Sequence, residues 1–211
     1  MRLTLVFAFC LLSVIPSHAE TAVDSWASIK APAAPKLKPV TVDPATTALL
    51  VLDFNGAQDP SKGPCNTNSK SRCIASLPAV GKLLEDARNS HAYVVFSVGG
   101  SGDAADIATV LAPKDGEPVV KSGPDKFINT KLGDLLQAKG IKTVIVTGTA
   151  AEGAVLMTGA DAALHGYNVV LPVDCMSSTD IYAEQYVIWH FANAPGVSAK
   201  TTLTTSTQIT F

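Results

Sequence analysis

Charge of either sign is scarce in this 211-residue chain: 16% of its residues are Asp, Glu, Lys or Arg, and they sum to −2. A nucleic-acid-binding surface needs a basic face, and there is no excess of Lys and Arg from which to build one, so no nucleic-acid partner is expected. Disorder is excluded from the other side, because 47% of the residues are apolar and low charge with high apolar content favours a packed core. Long apolar runs are lacking after Pro16, whereas a membrane-spanning helix needs roughly 20 such residues. Internal repeats and low-complexity tracts are absent as well. Cysteine and histidine occur four times each, too sparsely around Cys65 and Cys73 to complete a zinc shell, and no metal or cofactor is expected.

What is present begins with a leader. Met1-Arg2 is a short positive start, Leu3 to Pro16 is almost unbroken apolar sequence, and Ser17-His18-Ala19 places small residues where a signal peptidase reads. Residues 1–19 therefore read as a signal peptide, the mature chain as starting near Glu20, and the protein as exported, periplasmic or secreted, with no membrane attachment after cleavage. About 190 residues remain, the size of one domain. In an oxidising compartment Cys65 and Cys73, which bracket a polar stretch, read as a local disulfide. A loop this short gains roughly 2.5 kcal/mol in the chain-entropy picture. Cys175 is left without a partner.

Residues 20–46 carry prolines at 32, 35, 39 and 44 and almost no periodic pattern. They read as an extended arm, lying along the body or reaching to a second subunit of a homo-oligomer. Residues 47–211 then alternate between two kinds of segment. Short Val-rich runs at 48–52, 92–98, 118–120, 143–147 and 168–173 are expected of strands buried on both faces, with 201–205 as an edge strand. Amphipathic patterns at 74–89, 132–139, 152–165 and 182–192 predict helices, the third closing at Gly166. Trp189 and Phe191 are expected to pack, and His165 and His190 to be structural or superficial. Alternating strands and helices imply an α/β domain: three layers, α/β/α, around a mostly parallel sheet of about six strands.

In such sheets ligands bind outside the carboxyl ends of the strands, which singles out the residues that follow each run. Asp53 follows 48–52 directly. It is either a half-buried functional carboxylate, whose protonation depends on its partner, or the cap of a turn or of the next helix. Lys121 follows Val120 and either pairs with Asp53 or is a solvated lysine. The small-residue turn Gly148 to Ala154 opens a helix, whose N–H groups suit an oxyanion or carboxylate, and its small residues equally suit close packing of helix on sheet. Glu152 within it is a second acid or base, or a carboxylate favoured by the helix dipole.

Ala48 to Asn55, Lys121 with Phe127 six residues on, Val146 to Ala150, Gly166-Tyr167, and Val169 to Asp174 together resemble the isochorismatase-like (cysteine hydrolase) family. The resemblance covers roughly residues 45–205 and implies the Rossmann-like isochorismatase fold, with strand order 3-2-1-4-5-6. It also implies a hydrolase in which Asp53 and Lys121 match the catalytic Asp and Lys, and the backbone of Ala150, Gly153 and Ala154 forms the oxyanion turn. The nucleophilic cysteine of the family falls at Ala154, which offers no thiol, and Cys175 does not match that position. The Asp-x-His metal group of nicotinamidases has no counterpart either. The expectation is hydrolysis of a small, anionic molecule by Asp and Lys acid–base chemistry. The alternative is a non-catalytic binding or structural homologue.

Overall fold

The computed structural model describes residues 19–68 and 71–211, so the expected leader lies outside the described residues, Ala19 apart. The chain divides into two units, Met1–Ala33 and Ala34–Phe211. The described part of the first is a run of turns tied by Asp24, whose carboxylate accepts from Thr21 N and Oγ1 at 2.9 and 2.7 Å.

In the second unit the strands are β1 (Val40–Thr41), β2 (Thr47–Leu52), β3 (Tyr93–Val98), β4 (Val119–Lys121), β5 (Thr143–Thr149), β6 (Asn168–Pro172), β7 (Met176–Ser177), β8 (Thr201–Thr204) and β9 (Ile209–Thr210). The helices are α1 (Ser71–Asn89), α2 (Leu132–Ala138), α3 (Leu156–Leu164) and α4 (Ile181–Asn193). The main sheet runs β4-β3-β2-β5-β6-β8, with β7 beside the end of β5, and all its pairings are parallel. Numbered along the chain, its six principal strands stand in the order 3-2-1-4-5-6, as the resemblance implied. A small parallel pair, β1 with β9, brings residues 40–41 beside the C-terminus, and Lys38 N donates to Leu203 O at 2.9 Å.

Strand side chains alternate between two cores. Ala48, Leu50, Leu52, Val144, Val146, Val169 and Leu171 face α2, α3 and α4 and meet Leu132, Leu136, Ala162, Val187 and Phe191. Leu49, Val51, Ile145 and Val170 face the opposite layer and meet Val80, Leu84 and Ala87 of α1. Each fully buried aliphatic side chain contributes about 1.5–3 kcal/mol, and with both faces covered the runs carry no polar alternation. Phe191 is buried in this way, whereas Trp189, two residues earlier on α4, is 45% exposed. Side chains two apart on a helix point to different sides, so only one of the pair reaches the core. Gly166 takes φ +95° after α3, the left-handed turn that ends a helix most easily at glycine. No helix among the described residues is long and apolar enough to cross a membrane.

Strand order reverses between β2 and β5, which lie side by side in the sheet. The crevice at their carboxyl ends is where an open parallel sheet exposes backbone groups to a ligand. Asp53 ends one side of it and Thr149-Ala150 the other.

Candidate active site

β2 ends in a sharp turn. Asp53 adopts φ +57°, a left-handed conformation that costs a non-glycine residue about 1–2 kcal/mol and that Asp tolerates better than most. Its N–H still bonds Ser97 O on β3 at 3.2 Å, which holds the bend in place. The carboxylate caps no helix. Oδ1 accepts from Ser97 Oγ at 2.6 Å and Oδ2 from Lys126 Nζ at 2.8 Å, with the residue 6% exposed. Burial raises the Asp53 pKa above its ordinary value, against the pull of the Lys126 charge and of the two hydrogen bonds. Gly99 adjoins it, and a Cβ there would come within 2.9 Å of Oδ2.

The partner lysine is not the expected one. Lys121, at the end of β4, sits half exposed and reaches Asp103 at 3.5 Å. Lys126, in the loop after β4, is fully buried and pairs with Asp53. Its ammonium has three donors: one goes to Asp53, one to Gly123 O at 2.8 Å, and a longer contact goes to Ser122 O at 3.5 Å. The backbone behind it is anchored, since Lys126 N donates to Thr158 Oγ1 on α3 at 3.1 Å. Lys121 ends β4 half exposed, whereas the loop beyond it, tied to α3 through Lys126 N, turns the next lysine inward to Asp53.

Asp53 opens into a cavity of about 440 Å³. The end of β5 and the turn after it contribute Thr149, Ala150, Gly153 and Ala154; the rest of the lining comes from Pro60, Ser61, Gly63 and Pro64, from Gly99 to Ser101 and from Ser122 to Pro124. Residues 151–155 form a single wide π-helical turn that runs straight into α3. Gly148 precedes it at φ +157°, where a Cβ would meet Leu52 O at 2.7 Å, so β2 and β5 approach closely at the floor. Ala150, Gly153 and Ala154 thus share one side of the helix start and turn it to the cavity, where helix N–H groups favour negative charge. Glu152 is not part of the lining. It is partly buried, and its Oε2 has no hydrogen-bond partner. Ala154 supplies only a methyl group.

The outer wall is stapled. Cys65 and Cys73 form the expected disulfide, with S–S 2.02 Å, tying the loop that carries Pro60 to Pro64 to the start of α1. Next to it, Arg72 grips Glu184 of α4 through Nε at 2.6 Å and Nη2 at 2.5 Å, and Glu184 Oε1 accepts from Ser178 N at 2.9 Å. Cys175 is free and buried, and burial beside Asp174 pushes its thiol pKa far up, which makes it inert as a nucleophile. Among the described residues no group of three or more His, Cys, Asp or Glu is placed to hold a metal ion.

Comparison with known proteins matches residues 47–206 to the Isochorismatase domain. The secreted isochorismatase effector Isc1 of Verticillium dahliae is 29% identical over 154 residues, 68% of this chain and 78% of its own. A streptothricin hydrolase of Streptomyces noursei is 31% identical over 183 residues, covering 82% of this chain and 64% of that protein. Among solved structures, a cysteine hydrolase from Pseudomonas syringae pv. phaseolicola superposes with a TM-score of 0.66 at 20% identity, over 82% of this chain and 95% of that one. That likeness speaks for the fold, and the domain match covers the whole β2–β8 body with its cavity. The chain belongs to the isochorismatase family.

Proposed function

We propose that the protein is an exported hydrolase of a small anionic molecule in which Asp53 acts as the proton donor, without a cysteine nucleophile. The observation that carries the reading is the buried Asp53–Lys126 pair opening onto the cavity opposite a turn that bears alanine at 154. Burial raises the Asp53 pKa, so its protonated form, the one a general acid requires, persists to higher pH than in an ordinary carboxyl. In that form the pair carries one net positive charge, all of it on Lys126, which favours an anionic ligand; the ligand's charge in turn strengthens Asp53's hold on its proton. Asp53 passes the proton to the substrate, and Lys126 and Ser97 stabilise the carboxylate that results. Water adds to the activated carbon as the bond from that carbon to the leaving group breaks. The leaving group departs with the proton from Asp53, and the proton that water releases restores Asp53. The Ala150–Ala154 turn at the start of the helix lines the cavity, and the positive end of the helix dipole there favours an oxygen that gains negative charge. Export is supported by the Cys65–Cys73 disulfide, a bond of oxidising compartments, and by the secreted relative.

Ala154 also favours a second reading, a binding protein that has lost turnover. Incubation of wild-type and Asp53→Asn protein with isochorismate, streptothricin, nicotinamide and p-nitrophenyl acetate, with products read by mass spectrometry, separates the two. The hydrolase reading expects turnover of at least one, lost in the variant while binding persists. Binding without turnover by the wild type favours the second reading. Turnover that survives Asp53→Asn overturns the assignment of Asp53.

A further inference from the structure

Asn55 is fully buried two residues beyond Asp53, and its backbone is fixed from the far side. It forms an isolated antiparallel bridge with Ile107, while Ala108 N donates to Phe54 O at 2.9 Å and Gly56 N to Asp106 O at 3.0 Å. Its side chain therefore stands as a post that cannot shift without moving residues 106–108. Every polar atom of that side chain is spent on the two facing loops of the cavity. Nδ2 donates to Lys62 O at 2.5 Å and to Gly99 O at 2.9 Å, and Oδ1 accepts from Gly99 N at 3.1 Å. Its own carbonyl accepts from Cys65 N at 2.9 Å. Gly63 and Gly102 pack so closely on the amide that a Cβ at either would overlap it, so no longer side chain fits at 55 either.

We propose that Asn55 is the positioning residue of the cavity, its amide clamping residues 62–65 to residues 99–102 and so setting the width of the opening to Asp53. The role of that width in turnover rests on the catalytic reading above; the clamp itself does not. An amide is the group this junction needs, because it must donate twice and accept once within one plane. Asn55→Asp keeps the shape and the acceptor but sets a second acceptor against two carbonyl oxygens.

The test is hydrogen exchange read by mass spectrometry on the full chain with its disulfide intact, for wild type, Asn55→Ala and Asn55→Asp. Exchange is expected to quicken roughly tenfold in peptides covering 60–65 and 99–102, the scale of one lost buried hydrogen bond, with β5 and β6 unchanged. In Asn55→Asp the excess over wild type at matched pH should shrink near pH 4, where a protonated carboxyl donates again. On any substrate the wild type turns over, Asn55→Ala should raise KM at least fivefold with kcat within twofold. Unchanged exchange in both loops, or equal acceleration throughout the sheet, overturns the clamp. A KM unchanged alongside loosened loops overturns its bearing on substrate. Absence of turnover in the wild type counts against the catalytic reading alone, since the exchange data still decide the clamp.

Discussion

Replacing Lys126 by methionine removes a charge from the least exposed ion pair among the described residues while keeping most of the side-chain volume. Lys126 is fully buried, and the Asp53 side chain is 9% exposed. Taking one partner from such a pair leaves the other charge stranded, which ordinarily costs about 3–5 kcal/mol. Two features place this case at the lower end. Gly123, whose carbonyl loses its donor, is exposed and can turn to water, and Asp53 can take up a proton to shed its charge. A loss of about 3 kcal/mol follows at neutral pH, or a fall of about 6–12 °C in Tm for a domain of this size. The pH dependence has a definite sign. Where a folded-state carboxyl has a raised pKa, the native state keeps a proton that the unfolded state has released, so stability falls as pH rises through that window. Removing Lys126 extends the window upward, so the deficit should be largest near pH 7 and shrink on acidification towards pH 4. Lys121→Met is the control: its pair is 3.5 Å long with both side chains at least half exposed, and such pairs are worth little. Urea unfolding of the three proteins at both pH values reads all of this. Equal losses for the two lysines, or a Lys126→Met deficit that does not change with pH, would refute the placement of Lys126 as the buried partner.

Further outcomes follow from the same geometry. Gly99→Ala sets a Cβ within 2.9 Å of Asp53 Oδ2 and should cost about 1–3 kcal/mol in urea unfolding, together with any turnover. Reduction of Cys65–Cys73 should lower stability by about 2.5 kcal/mol, measured by unfolding with and without a phosphine reductant. Because the disulfide tethers a cavity wall, reduction should also quicken proteolysis between Pro60 and Asn68. Removing the chain through Val42 takes away the Lys38 and Val42 backbone hydrogen bonds and a buried Val42. About 3 kcal/mol should be lost in thermal unfolding. Turnover that depends on protonated Asp53 should fall as pH rises through its raised pKa, and a rate–pH profile from pH 4 to 9 reads it.

Much of the sheet was legible in the residues because a strand buried on both faces has no polar alternation to confuse the reading. Leu49 and Leu50 serve opposite cores and are equally apolar. The short pieces were not legible: β1, β7 and β9 are two residues each, too brief to show a period. Asp53 was found because it breaks an apolar run at the crevice. Position at a strand end singles out Lys121, whereas a lysine that returns from a loop to the core, as Lys126 does, leaves no local pattern. One signal existed. Ser97 is the single polar residue inside β3, and a hydroxyl buried there needs a partner, which is Asp53. Glu152 was drawn into the site by its place in the turn, and the helix geometry directs it away from the lining while Ala150, Gly153 and Ala154 remain.

The Asp53 carboxyl carbon can be observed directly by 13C NMR in protein labelled at aspartate, assigned through Asp53→Asn and titrated from pH 2 to 9. Asp53 is expected to titrate above its ordinary value of 3.8, and higher still in Lys126→Met. A carboxyl that titrates at or below 3.8 would contradict its role as the proton donor of this cavity.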